Sequence, residues 1–191
     1  MRISMFRVSV LIGLLLVFCA SAAKRDKNHM DAFMPGLVDE NELAREVRHQ
    51  LITLPYYGVF DDLAFRVDGS TVTLLGVVTQ PVLKSDAENA VKRIKGVSRV
   101  INNIEVLPLS PMDDRIRAAV YRAIYGDPAL SDRYGFRAVP SIHILVKRGN
   151  VVLEGVVANS MDKNIAGLRA NSVPGVFSVT NDLVAESELA R

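Results

Sequence analysis

Arg115, Arg117, Tyr121, Arg122 and Tyr125 crowd one stretch of the chain, with Arg117, Tyr121 and Tyr125 spaced a helical turn apart. Tyrosine joins an apolar ring to a polar tip, and a guanidinium can grip two phosphate oxygens with its planar fork. On one helix, these five side chains suit the headgroup zone of an anionic phospholipid membrane. A structural role competes with that reading. Asp113 and Asp114 open the same stretch, so Arg117 can pair with Asp113 one turn away, for roughly a few tenths of a kcal/mol.

The other reactive groups point away from chemistry. Lys92, Arg93, Lys95 and Arg99 gather where a predicted helix ends, where cations complement the helix dipole. His29, His49 and His143 fall in a tether, a helix and a strand, without metal-ligand spacing, and His143 is expected to be half-buried. Asp61 and Asp62 form an acidic pair near a strand end. Neighbours on a strand point to opposite faces, so a turn or cap role fits better than paired acid and base. Nucleophile elbows, phosphate-cradling glycine loops and metalloprotease helix motifs are absent from the sequence. No enzyme, cofactor or metal is therefore expected.

These residues must be positioned by a repeat. Val72, Leu74, Gly76, Val77 and Val78 return as Val151, Leu153, Gly155, Val156 and Val157, an offset of 79. At the same offset, Gly96, Val97, Val100, Asn102 and Ile104 return as Gly175, Val176, Val179, Asn181 and Leu183. Leu43, Val47 and Leu51 repeat at intervals of four, as do Ile116, Val120 and Ile124, so each copy opens with an amphipathic helix. The second copy carries six extra residues within 126–139.

Alternating Leu63, Phe65 and Val67, the turn residues Asp68, Gly69 and Ser70, and the strand that follows predict a hairpin; Ile142, Ile144, Val146 and Arg148 to Asn150 repeat it. Each copy thus reads helix, strand, strand, helix, strand. The fold class is α+β, with two tandem small domains, each a three-stranded mixed sheet covered on one face by two helices. With Glu154 expected to face water, Val151, Leu153 and Gly155 face the helices, and Gly155 is expected to allow close helix approach. On the uncovered face, Leu75, Val77, Val152 and Val156 offer apolar atoms for packing between the domains or for a protein partner.

The chain begins like an export signal. Arg2 and Arg7 precede an apolar run from 8 to 18, and Ala20, Ser21 and Ala22 supply small residues for cleavage. The run is short for a membrane crossing, which takes about 20 residues. Phe18 stands where a lipid-modification signal before Cys19 needs a small residue, so export without lipid is expected, to the periplasm or in association with the envelope. Residues 1–22 hold two arginines and no acid, so the remainder balances 21 basic against 21 acidic residues. That balance argues against a nucleic-acid partner. Loss of Cys19 with the signal excludes disulfides and thiolate zinc sites from the exported form.

The expected organisation is a signal peptide (1–22), a polar tether (23–40), domain one (41–108), a proline-rich linker (109–111), domain two (112–186) and a tail (187–191). A strand ending in Val, Leu, Gly, Val, then a helix, then Gly-Val followed by Val and Asn, given twice after an export signal, resembles the BON domain. The resemblance implies a small non-enzymatic binding module of the periplasm or outer membrane, linked to phospholipid contact, envelope integrity and osmotic stress. The matching residues are core and turn positions, so the resemblance assigns no site. It leaves two partner classes: an anionic phospholipid membrane surface, or an envelope protein bound by a soluble, chaperone-like factor.

Overall fold

Apolar side chains spaced four apart become the buried stripes of helices, and those at alternate positions become the inner faces of strands. The computed structural model describes residues 30–31, 42–136 and 139–189, with backbone alone for 30–31 and 188–189. In the first copy, β1 (Met30–Asp31) precedes α1 (Glu42–Ile52), β2 (Asp62–Asp68), β3 (Thr71–Val78), α2 (Pro81–Lys92), β4 (Arg99–Asn102) and β5 (Glu105–Val106). The second copy runs α3 (Pro111–Tyr125), α4 (Pro128–Tyr134), β6 (Ile142–Lys147), β7 (Asn150–Val157), α5 (Ser160–Asn171), β8 (Ser178–Asn181), β9 (Val184–Ala185) and α6 (Glu186–Leu189). The fold is α+β in two tandem domains.

Each sheet is a hairpin plus a parallel strand. β2 and β3 pair antiparallel, and β4 and β5 both lie parallel to β3; β6 and β7 repeat the hairpin, with β8 and β9 parallel to β7. Val47, Leu51, Leu83, Ala87 and Val91 from the helices close over Leu63, Phe65, Val72 and Leu74. Ile116, Val120, Ile124, Ala166 and Ala170 cover Ile142, Ile144, Val151 and Leu153 in the second copy. The repeated asparagine explains why the last strand comes in two pieces. Asn102 Nδ2 donates to the Lys84 carbonyl at 2.8 Å and its Oδ1 accepts from the Ile104 amide at 3.2 Å. Asn181 does the same with Lys163 and Leu183, at 2.8 and 3.4 Å. One side chain thereby ties the helix that follows the hairpin, α2 or α5, to the last strand of its copy.

Several expectations change. The tether is not wholly without structure, because Met30–Asp31 pairs antiparallel with β2, Met30 opposite Phe65. The extra residues of the second copy form α4, with Asp127 accepting from the Ala129 amide at 2.8 Å and Pro128 in the first turn. Gly155 serves strand pairing rather than helix approach: its φ is +118°, and a Cβ there would lie 1.9 Å from the Ser141 carbonyl oxygen. Gly76 meets Asp62 in the same way, at 2.2 Å. Glu154 does not face water but is buried, opposite His143 across the hairpin. His143 is fully rather than half buried, and its ring stacks on Tyr57 of the first copy with centroids 5.6 Å apart. The proposed signal, with Cys19, and His29 lie outside the described residues. Among the described residues, no helix is long and apolar enough to cross a membrane.

Candidate functional site

Two elements set the geometry around α3: the helix itself and the outer edge of β6. Pro111 sits in the first turn, and Ser110 caps the helix by accepting from the Asp113 amide at 3.2 Å. The Val156 amide donates to the Ser141 carbonyl, so alternation along the antiparallel pair turns the backbone groups of Ile142, Ile144 and Val146 outward. Left bare, an edge of this kind would invite another strand.

Two of the five residues expected to bind lipid serve that edge instead. Arg117 is buried; its guanidinium donates to the Val146 carbonyl at 2.7 Å and pairs with Asp114, not with Asp113. Tyr125 is buried too, and its hydroxyl donates to the Ile142 carbonyl at 2.6 Å. Burial pushes the phenol pKa up. Asp113 is occupied elsewhere, accepting from the Arg148 and Gly149 amides of the β6–β7 turn at 2.9 Å each. Burial works against its charge, but these amides, with Ser110 and the Arg117 cation, hold its carboxyl below the ordinary value of 3.8.

The remaining three look outward. Arg115 and Arg122 are exposed, and Tyr121 is 37% exposed. Arg115 Nε donates to the Pro111 carbonyl at 3.3 Å, and no carboxylate pairs with Arg122 among the described residues. The Tyr121 ring lies against Tyr125, with centroids 4.8 Å apart, and edge-on to Phe60 of the first copy at 6.2 Å. Phe60 is a site residue that the sequence reading missed. It stands in the stretch between α1 and β2, whose backbone passes through the left-handed region at Tyr56 (φ +67°). Its neighbours fix it. The Val59 carbonyl accepts from the Ile144 amide at 2.7 Å, and buried Asp61 accepts from the Thr79 amide, the Thr79 hydroxyl and the Gly58 amide at 2.6, 2.8 and 3.2 Å. Asp61 thus performs the turn role expected of it.

The other sequence candidates are less open than expected. Leu75, Val77, Val152 and Val156 are half-buried, while Thr73 and Leu145 on the same faces are buried, so the far faces of the sheets are not simply bare. Val59 and Phe60 pack on the second core and Val139 packs on the first, and Lys147 pairs with Glu105 across the copies. Lys92 pairs with Glu88 at 2.5 Å, and Arg93 and Lys95 share a groove of about 1050 Å³ with Glu42 and Glu46, whose charges offset theirs. Among the described residues, no group of three or more His, Cys, Asp or Glu side chains could hold a metal ion.

A family model described as BON domain matches residues 39–108 and again residues 112–187. No curated protein matches the chain. Two solved structures of CdsD, a structural protein of the type III secretion system of Chlamydia trachomatis, are similar at 14% identity. Its C-terminal domain aligns over 78% of this chain and 99% of that one with a TM-score of 0.28; the second structure aligns over 78% and 96% with 0.29.

Proposed function

The chain belongs to the BON domain family, in two tandem copies, and from that premise we propose that it is an exported, non-enzymatic envelope protein that binds anionic phospholipid surfaces. Its role is to support envelope integrity or the response to osmotic stress. The observation that carries the reading is the division of α3. Arg117 and Tyr125 are consumed by the edge of β6, while Arg115, Tyr121 and Arg122 stay at the surface. An interfacial ring and two cations on one rigid helix fit the boundary between headgroups and acyl chains. The signal-like residues 1–22 support export. A protein-binding role for Leu75, Val77, Val152 and Val156 has less support, because their neighbours Thr73 and Leu145 are buried.

The test is vesicle binding by two variants. An arginine near an anionic surface contributes about 1 kcal/mol, so Arg122→Glu should weaken binding to phosphatidylglycerol vesicles about fivefold or more. Tyr121→Ser should weaken it as well, with the urea midpoint little changed. Unaltered binding by both variants removes this site.

A further inference from the structure

The groove of about 1050 Å³ on the first copy brings opposite charges face to face without joining them. Glu42 and Glu46 line it from α1, and Arg93 and Lys95 line it from the turn that ends α2. Among the described residues, none of these four charges has an ion-pair partner, although the neighbouring Lys92 pairs with Glu88. Leu43, Ala90 and Ile94 supply the apolar part of the lining. Gly69 and Gly96 keep it open, since a Cβ on either would meet nothing within 4 Å.

Helix dipoles favour an acid at a helix start and a base at a helix end, but they do not explain why the two meet across one groove. The fold does not require the meeting either. At the offsets that align the two copies, Glu42 and Glu46 give way to Arg115 and Ala119, and Arg93 and Lys95 to Ser172 and Pro174. The open Gly69 gives way to Arg148. A phosphate in the groove of the first copy would face two carboxylates, and a metal ion would face two cations. A ligand with one charge of each sign, at separate ends, satisfies both walls. Packed helices stand about 8–10 Å apart, and three residues of extended chain span up to about 10 Å.

We propose that this groove binds a short peptide with free ends. Its ammonium group lies toward Glu42 and Glu46, its carboxylate toward Arg93 and Lys95, and an apolar side chain rests on Leu43 and Ile94. The site is independent of the membrane-surface reading, which concerns α3 of the other copy.

The experiment is a titration of the isotope-labelled full chain with alanyl-leucyl-alanine, followed by the amide resonances in nuclear magnetic resonance spectra. Saturable shifts at Gly69, Ala90, Ile94 and Gly96 are expected, with a Kd of about 1 mM or below. Acetylating the amino end or amidating the carboxyl end should each weaken binding about threefold or more, the scale of exposed ion pairs. Free leucine, with both charges on one carbon, should bind more weakly still. Glu42→Gln with Glu46→Gln should remove the penalty for acetylation and keep the penalty for amidation. Arg93→Gln with Lys95→Gln should do the reverse. All four side chains are exposed, so these variants should fold, which the dispersion of the same spectra checks. Absence of saturable shifts in the groove, or equal binding by the blocked peptides or by leucine, would overturn the proposal. An acetylation penalty undiminished in the glutamate variant would overturn it as well.

Discussion

A carbonyl on an open sheet edge needs a donor, and Tyr125 and Arg117 meet that need at Ile142 and Val146. Tyr125→Phe keeps the ring but removes the hydroxyl, leaving a buried acceptor without its donor at a cost of about 1–3 kcal/mol. The expected result is a lower urea midpoint with an unchanged slope; an unmoved midpoint would show that water replaces the hydroxyl. Asp113 gives a pH signature of definite sign. Its folded-state pKa lies below 3.8, so it contributes stability above that pH, and the contribution fades as pH falls through the lowered value. Urea midpoints measured on the acid side should therefore fall less steeply for Asp113→Asn than for the parent chain. The helical spacing of Arg117, Tyr121 and Tyr125 was legible in the sequence. Their division was not, because it is set by β6 carbonyls 17 and 29 residues further on.

Among the elements, the hairpins were the most legible, since alternation and turn residues are local, and the 79-residue offset marked both at once. The reason for the repeated glycine was misread. It answers to a carbonyl on the neighbouring strand, a pairing that one strand's pattern does not contain. Gly155→Ala would place a Cβ 1.9 Å from the Ser141 oxygen at a φ of +118°, a clash with backbone that rotamers cannot relieve. A loss of about 3 kcal/mol or more is expected, seen as a collapsed urea midpoint or insoluble product. Gly69 is the comparison, with φ +61° and nothing within 4 Å of a Cβ, so Gly69→Ala should cost only about 1–2 kcal/mol. Equal costs would contradict the close-approach account. α4 escaped the reading because seven residues are too few to show a period, although Asp127 and Pro128 were a cap and first-turn signal.

For the whole molecule, the repeat announced two domains, but not that each lends residues to the other's core. Val59 and Phe60 pack on the second core and Val139 on the first, contacts between unlike side chains that the offset could not reveal. Phe60, placed beside Tyr121 by this exchange, completes an aromatic and cationic surface to which both copies contribute. The chain from residue 23 onward has balanced charge, so the membrane binding proposed above would have to be local, from Arg115 and Arg122, rather than from overall charge. Screening should then weaken binding as salt rises, while the apolar contact of Tyr121 persists. The most direct measurement is flotation of residues 23–191 with phosphatidylglycerol-containing and with purely phosphatidylcholine vesicles at low and moderate salt. The account predicts flotation with the anionic vesicles only, reduced by salt. Absence of flotation under every condition, or equal flotation with both vesicle types, would contradict it.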